Sequence, residues 1–293
     1  MNLNTALKAD KILLVDGAMG TELGKRGLEM GGSNNLTHPE AVLAVHTEYV
    51  DAGCDLLITN TLTMNRIYLD SHGLAFDVEA VNLAGAELAK KAAGERCFVL
   101  GDISATGQLL EPLGSYGEEA FVENYREQAA ILARGGVDGF IVETVFDLRE
   151  AVCALKACRE AAPQLPVILS LTFATTARGC RTIMGNSAAD LAKAAEDYGA
   201  AAVGTNCGDL SPEEVSEVVA QLKALTPLPI IAMPNAGKPE LVGETTSFSM
   251  TPEVFASGIK RCLDKGALLV GGCCGTSPEH IRAVAKLLGK PGF

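Results

Sequence analysis

"AAVGTNCGDLSPEEVSEVV", residues Ala201 to Val219, contains a complete structural unit in nineteen residues. Its first half is a short apolar run that stops at Asn206-Cys207. Its second half opens with Ser211-x-x-Glu214 and a proline at Pro212. That spacing is a capping box, in which the serine and the acid satisfy each other's backbone N–H groups at a helix start. The stretch therefore reads as strand, loop, helix, with its polar and thiol residues where the strand ends.

The same unit recurs along the chain. Apolar, β-branched runs begin at Ile12 (ILLVDG), Asp55 (DLLITNT), Cys97 (CFVLGDI), Gly139 (GFIVET), Pro166 (PVILSLTF), Pro229 (PIIAMPN) and Ala267 (ALLVGGC). Continuously apolar runs are expected of parallel strands covered on both faces. Between them lie helical patterns over Val78–Ala93, Glu118–Arg134, Leu148–Ala161 and Ala188–Tyr198. Thr37-x-x-Glu40 has capping-box spacing, and Thr251-Pro252-Glu253 and Ser277-Pro278-Glu279 repeat a cap, proline, acid opening. The last helix carries Ile281, Val284, Ala285 and Leu288 on one face.

Eight strand–helix units without a linker predict a single-domain (β/α)8 TIM barrel over residues 1–293. A doubly wound sheet is the alternative, but "DGAMGTELG" after the first run lacks G-x-G-x-x-G spacing. In a barrel the strand ends converge on one face. They are Asp16-Gly17, Thr59-Asn60-Thr61, Asp102, Glu143-Thr144, Thr172, Asn206-Cys207, Asn235 and Cys273-Cys274.

A net charge of -12 argues against nucleic acid as a partner. The N-terminus lacks a basic then apolar signal pattern, and no apolar run has the length to span a bilayer. Nine cysteines without a framework fit reduced thiols in a cytoplasmic setting. Cys54, Cys97, Cys153, Cys158 and Cys262 sit in apolar patterns and read as core filling. His38, His46, His72 and His280 fall on or beside helices and read as surface or packing residues.

Cys207, Cys273 and Cys274 are different, because they end strands six and eight. Three thiolates with an open fourth position would make a catalytic type of Zn2+ site. Neighbouring residues in a strand point to opposite faces, so Cys273 and Cys274 share an ion only if the backbone leaves strand geometry there. Gly271, Gly272 and Gly275 are expected to supply that freedom. A vicinal disulfide, or thiols merely beside a bend, are the other readings of the pattern. Glu143 and Asp16 read from pattern alone either as site acids or as a rim ion pair and a turn residue.

Taken together, "DGAMGTEL", "VETVFD", "GTNCG", "PNAGKP" and "GGCCGTSPEH" resemble the zinc-dependent homocysteine S-methyltransferase family. The likeness is greatest to the homocysteine-binding module of cobalamin-dependent methionine synthases and runs from Asp16 to the final helix. It implies a barrel, and zinc held by Cys207, Cys273 and Cys274. It further implies Glu143 on the substrate ammonium, Asp16 and Gly17 in the same amino-acid pocket, and Asn235 approaching the metal when substrate is absent. Asn60 and Thr61 carry over as substrate-pocket residues, although "TNTL" departs from the commoner TNTF. Homocysteine would be methylated to methionine, with a methyl-corrinoid protein or module as donor. The alternatives are a small donor such as S-methylmethionine, or a homocysteine-binding module that turns over only with partner domains. Folate and cobalamin modules are not recognisable in these residues.

Overall fold

The structure, a computed structural model, describes residues 2–177, 179–242 and 245–290. The strands are β1 (Leu13–Leu14), β2 (Leu56–Ile58), β3 (Phe98–Ser104), β4 (Gly139–Val145), β5 (Val167–Leu171), β6 (Ala174–Thr176) and β7 (Gly179–Arg181). They continue with β8 (Ala202–Asn206), β9 (Ile230–Met233), β10 (Glu240–Val242), β11 (Thr245–Ser247) and β12 (Leu269–Val270). The helices are α1 (Leu3–Lys8), α2 (Gly20–Lys25), α3 (Asn34–Thr37), α4 (Pro39–Asp51), α5 (Arg66–Ser71) and α6 (Val78–Ala93). After them come α7 (Glu118–Arg134), α8 (Leu148–Ala161), α9 (Ala188–Asp197), α10 (Pro212–Leu225), α11 (Pro252–Asp264) and α12 (Pro278–Leu287).

Eight strands pair in parallel in the order β1-β12-β9-β8-β5-β4-β3-β2. The two ends of that sheet meet through a parallel bridge between Val15 and Leu56 and the bond from Asp55 N to Leu14 O, 2.6 Å. This is the (β/α)8 barrel that the sequence predicts. All eight apolar runs are its strands, and the two remaining strand pairs are antiparallel ribbons, β6–β7 and β10–β11, set after β5 and β9. The sequence pattern did not reveal the ribbons, because three-residue strands with exposed side chains, as in β6, carry no apolar period.

Side-chain alternation divides the core in two. Leu56, Leu100, Ile141, Ile168, Ala202, Ile231 and Leu269 point to the barrel axis and pack with Leu3, Ala6 and Leu7 of α1. The opposite faces of the same strands, such as Val99, Val142 and Val203, pack under the outer helices. Helix α1 is therefore a plug in the N-terminal end, where Leu3 lies against Gly139 and Asn4 donates to Gln164 O. A six-residue helix capped by Asn2 gave no readable signal in sequence.

Helix starts follow the predicted chemistry with one correction. Ser211 and Glu214 form the reciprocal box at 3.3 and 2.8 Å. Ser211→Ala is expected to cost about 1 kcal/mol, read as an earlier denaturant midpoint. At Ser277 the box partner is His280, whose Nδ1 accepts from Ser277 N at 3.2 Å, while Glu279 takes the serine hydroxyl. Thr37 does not cap: it ends α3, donates to Ser33 O, and leaves His38 at the start of α4. The extra helical turn of α3 preempts the box, because the Thr37 backbone is already committed to the preceding helix.

His46 on α4 is fully buried, and neither ring nitrogen has a hydrogen-bond partner among the described residues. Burial lowers its pKa to about 4, so the fold needs the neutral ring. A depressed histidine pKa gives stability that is whole above the ordinary value of about 6.5 and lost as pH falls toward 4. His46→Leu should remove roughly 3 kcal/mol of acid sensitivity over that window, measured as the difference between the two proteins' stability–pH curves. Buried carboxyls with raised pKa act in the opposite sense, but they are common to both proteins and cancel. Among the described residues no helix is long and apolar enough to cross a membrane.

Candidate active site

At the C-terminal end of the barrel the axial layers change character. Beyond the apolar layer, the inward positions are Asp102 on β3, Glu143 on β4, Ser170 on β5 and, one step further along its strand, Asn206 on β8. Asn235 and Cys273 follow on the chains leaving β9 and β12. These are the barrel positions where active sites are built.

Asn206 organises this layer and is completely buried. Its Nδ2 donates to Glu143 Oε2 at 2.7 Å and to Thr144 Oγ1 at 2.9 Å, and lies 4.0 Å from Cys273 Sγ. Its Oδ1 accepts from Ser170 Oγ at 2.7 Å and from Thr144 N at 3.2 Å. Thr144 sits at φ 54, and the pairing of β4 with β5 slips between Val142 and Val145. A bulge with a β-branched residue at positive φ is strained, and it re-aims the side chain beside it. Here that side chain is Glu143.

The three thiols converge by two different backbone devices. Cys207 is at φ 57, directly after the last residue of β8, and its N–H still donates to Met233 O. Cys273 has its N–H on Pro234 O, and the four residues Cys273–Thr276 turn back through Thr276 N to Cys273 O. Gly275 occupies the third turn position at φ 80, the requirement of a type II turn. Cys273 thus opens the turn and Cys274 is its first corner. The predicted role of Gly271 and Gly272 needs correcting, since neither has positive φ. They are needed for close packing: a Cβ on Gly271 would sit 2.7 Å from Val15, and one on Gly272 2.5 Å from Thr276.

All nine cysteines are free thiols, so the vicinal pair is not a disulfide. The sulfurs of Cys207, Cys273 and Cys274 lie within 4.8 Å of one another, with Cys207 and Cys274 at 3.9 Å. Tetrahedral zinc with Zn–S near 2.3 Å needs sulfurs about 3.8 Å apart, so this donor set fits such an ion. Hydrogen bonds from Cys207 and then Cys273 hold the Cys274 thiol down to about 4. Cys207, drawn down by Cys273 but pushed up more by Cys274 and by burial, stands at about 12, and Cys273 is raised as well. A cation bound by all three would displace the protons that the raised thiols keep. Asn235 donates to Gly208 O at 2.6 Å, and its Oδ1 has no partner among the described residues.

Beside the thiols lies an acidic group. Burial, and then the charge of Cys207, pushes Glu143 up to about 8. Asp16 is raised by burial despite its bond from Ile58 N at 2.9 Å, and its Oδ1 has no partner among the described residues. Gly17 passes so near Thr276 and Tyr49 that a Cβ would lie 2.7 and 2.8 Å from their hydroxyls. Asn60 and Thr61 stand behind this group. Asn60 donates to Gly31 O and Asn35 Oδ1, and the fully buried Thr61 donates to Asp102 O. Sequence reasoning assigned no role to Asn206 or Asp102, although both are polar residues at strand ends. A cavity of about 620 Å³ opens beside Gly208, bordered by Phe146, Thr172, Phe173 and Ile183.

Known proteins are similar to this chain over most of its length. The family model described as homocysteine S-methyltransferase matches residues 13–288. Methionine synthase of Mycobacterium leprae (strain TN) is 32% identical over 94% of this chain and 24% of its own length. Methionine synthase of Mycobacterium tuberculosis (strain ATCC 25618 / H37Rv) is 31% identical over the same shares. The chain thus spans about a quarter of these curated relatives. The metallated form of the homocysteine methyltransferase MmuM from Escherichia coli superimposes with a TM-score of 0.78 at 26% identity, covering 97% of this chain and 99% of that one. The family match spans almost the whole barrel, and the chain belongs to the homocysteine S-methyltransferase family.

Proposed function

We propose that this chain binds homocysteine across the barrel mouth and methylates its sulfur to give methionine. The observation that carries this reading is the pairing, in one mouth, of three free thiols with buried, partly unpartnered carboxyls. Homocysteine has the matching ends, a thiol and an α-ammonium. Glu143 and Asp16 hold the ammonium by charge-assisted hydrogen bonds. Asn206 fixes Glu143 relative to the thiol side, and Gly17 leaves room for the backbone that shapes the pocket. Asn60 and Thr61 keep that wall in place.

Cys207, Cys273 and Cys274 would hold zinc, and Asn235, with its unpartnered oxygen, would meet the metal side of the empty pocket. Such an ion supplies a positive centre that favours the thiolate form of a thiol beside it. In the transfer, the new S–CH3 bond forms as the donor–methyl bond breaks. The bonding electrons stay with the donor and the thiol proton leaves to solvent. The chain's part is to hold the sulfur in line with the incoming methyl group.

The donor reading rests on the rim. Met30, Leu62, Leu109, Leu113, Phe146 and Ile183 are exposed apolar residues, all on loops that follow barrel strands at the mouth. Apolar surface gathered on one face is what a protein partner covers. The donor is therefore read as a methyl-corrinoid carried by a protein or module, docked on residues 1–293 acting as one homocysteine-binding unit in the cytoplasm. The test supplies the zinc-loaded protein with homocysteine and either S-methylmethionine or a methyl-corrinoid protein. Methionine formed only with the corrinoid protein supports the whole reading. Methionine from S-methylmethionine alone overturns the donor assignment, and none from either donor overturns the activity.

A further inference from the structure

Asp102 has no part in the scheme above, yet its carboxyl is buried in the same mouth. It is 2% exposed, and its Oδ1 has no hydrogen-bond partner among the described residues. Its peptide is clamped from both sides. The Asp102 N–H donates to Thr59 Oγ1 at 2.9 Å, its carbonyl accepts from Thr61 Oγ1 at 3.0 Å, and the two hydroxyls are 2.7 Å apart. The carboxyl is held on the inner face of β3, two residues past the axial Leu100.

Its neighbours are the two acids already placed. In the pairing of β3 with β4, Asp102 faces Ile141 and Ser104 faces Glu143, so Asp102 and Glu143 are diagonal on one inner surface. Asp16 is anchored by Ile58 N at the end of β2, which lies between β1 and β3 around the barrel. Burial raises Asp102, and the charges of Glu143 and then Asp16 raise it further. A carboxyl buried without a donor destabilises a fold, and one that persists needs an explanation outside the chain's own bonds. Two such oxygens, on Asp16 and Asp102, frame the same pocket as Glu143.

We propose that Asp102 is a specificity-determining residue for the amino-acid substrate. With Asp16 and Glu143 it offers the three N–H bonds of a primary α-ammonium an acceptor each, so the pocket demands a free amino group. This inference rests on the homocysteine reading of the site. A site built to pair a polar group rejects the analogue lacking it, because its own buried groups are then left unpaired.

The test measures binding by calorimetry to zinc-loaded wild type and Asp102→Asn, using homocysteine and 4-mercaptobutyrate, the same thiol acid without the amino group. Wild type should prefer homocysteine by about 100-fold or more. Asp102→Asn should lose about 10- to 100-fold for homocysteine and change less than about twofold for the analogue. At pH high enough to ionise the acid, the variant should also unfold at a higher temperature than wild type, since the amide cannot take on a buried charge. Independently of any variant, N-methylhomocysteine, with one N–H fewer, should bind wild type about tenfold more weakly. An unchanged preference in Asp102→Asn together with full affinity for the N-methyl compound overturns the inference while leaving the homocysteine reading intact. Wild type that binds neither thiol overturns both.

Discussion

Cys207→Ala is expected to empty the metal centre. Bound zinc should fall from about one equivalent to below a tenth of one, and methionine formation by roughly a thousandfold or more, because two thiolates and water hold zinc far less well than three thiolates. Metal analysis of protein purified without chelator, paired with the methionine assay, reads both numbers. The fold should survive. Cys207 is only partly buried, at the mouth rather than in the axial core, and its position at φ 57 is no worse for alanine than for cysteine. Cys158→Ala is the control, since Cys158 is fully buried in the layer under the helices. It should lose stability and keep its zinc. Full zinc in Cys207→Ala would place the ion elsewhere and remove the basis of the proposed chemistry.

Gly204→Ala carries the second large effect, on stability. Gly204 lies in β8 opposite Ile231 of β9, and a Cβ there would stand 1.8 Å from Ile231 O and 2.6 Å from its Cγ2. The obstacle is backbone of the neighbouring strand, which cannot move without breaking the ladder that also carries Asn206 and Cys207. The expected cost is about 3 kcal/mol or more, seen as a large drop in unfolding temperature or as insoluble protein. Gly31→Ala, where a Cβ meets nothing within 4 Å, should change stability by less than about 0.5 kcal/mol. A Gly204→Ala protein as stable as wild type would mean the two strands are not packed as described.

The contrast between Gly204 and the cysteine-flanking glycines shows how sequence and structure divide the information. Gly271 and Gly272 invite the reading that glycine bends the chain, yet they keep ordinary φ and are small because Val15 and Thr276 press on them. The crowding comes from residues more than two hundred positions away for Gly271, and no local pattern contains it. Thr37 misleads for a related reason, since its capping spacing is real but the preceding turn of α3 has already claimed it. Helix α1 and the two ribbons were illegible because short elements have too few residues for a hydrophobic period to stand out.

Sequence alone was enough for the order of the eight barrel strands and the main helices between them, because strands buried on both faces must be continuously apolar and helices must begin with caps. It was also enough to place thiols, acids and amides at strand ends, which a barrel gathers on one face. Tertiary structure decided which of those ends meet. The pairing of β8 and β12 on either side of β9, and the turn at Gly275, bring together Cys207 and Cys274, 67 residues apart. Only the folded register shows that Asn206 ties Glu143 to the thiol side, and that Asp102 is left with an unpaired oxygen. A hydrogen bond, or the lack of one, depends on what the far strand places opposite, and that is settled when the barrel closes.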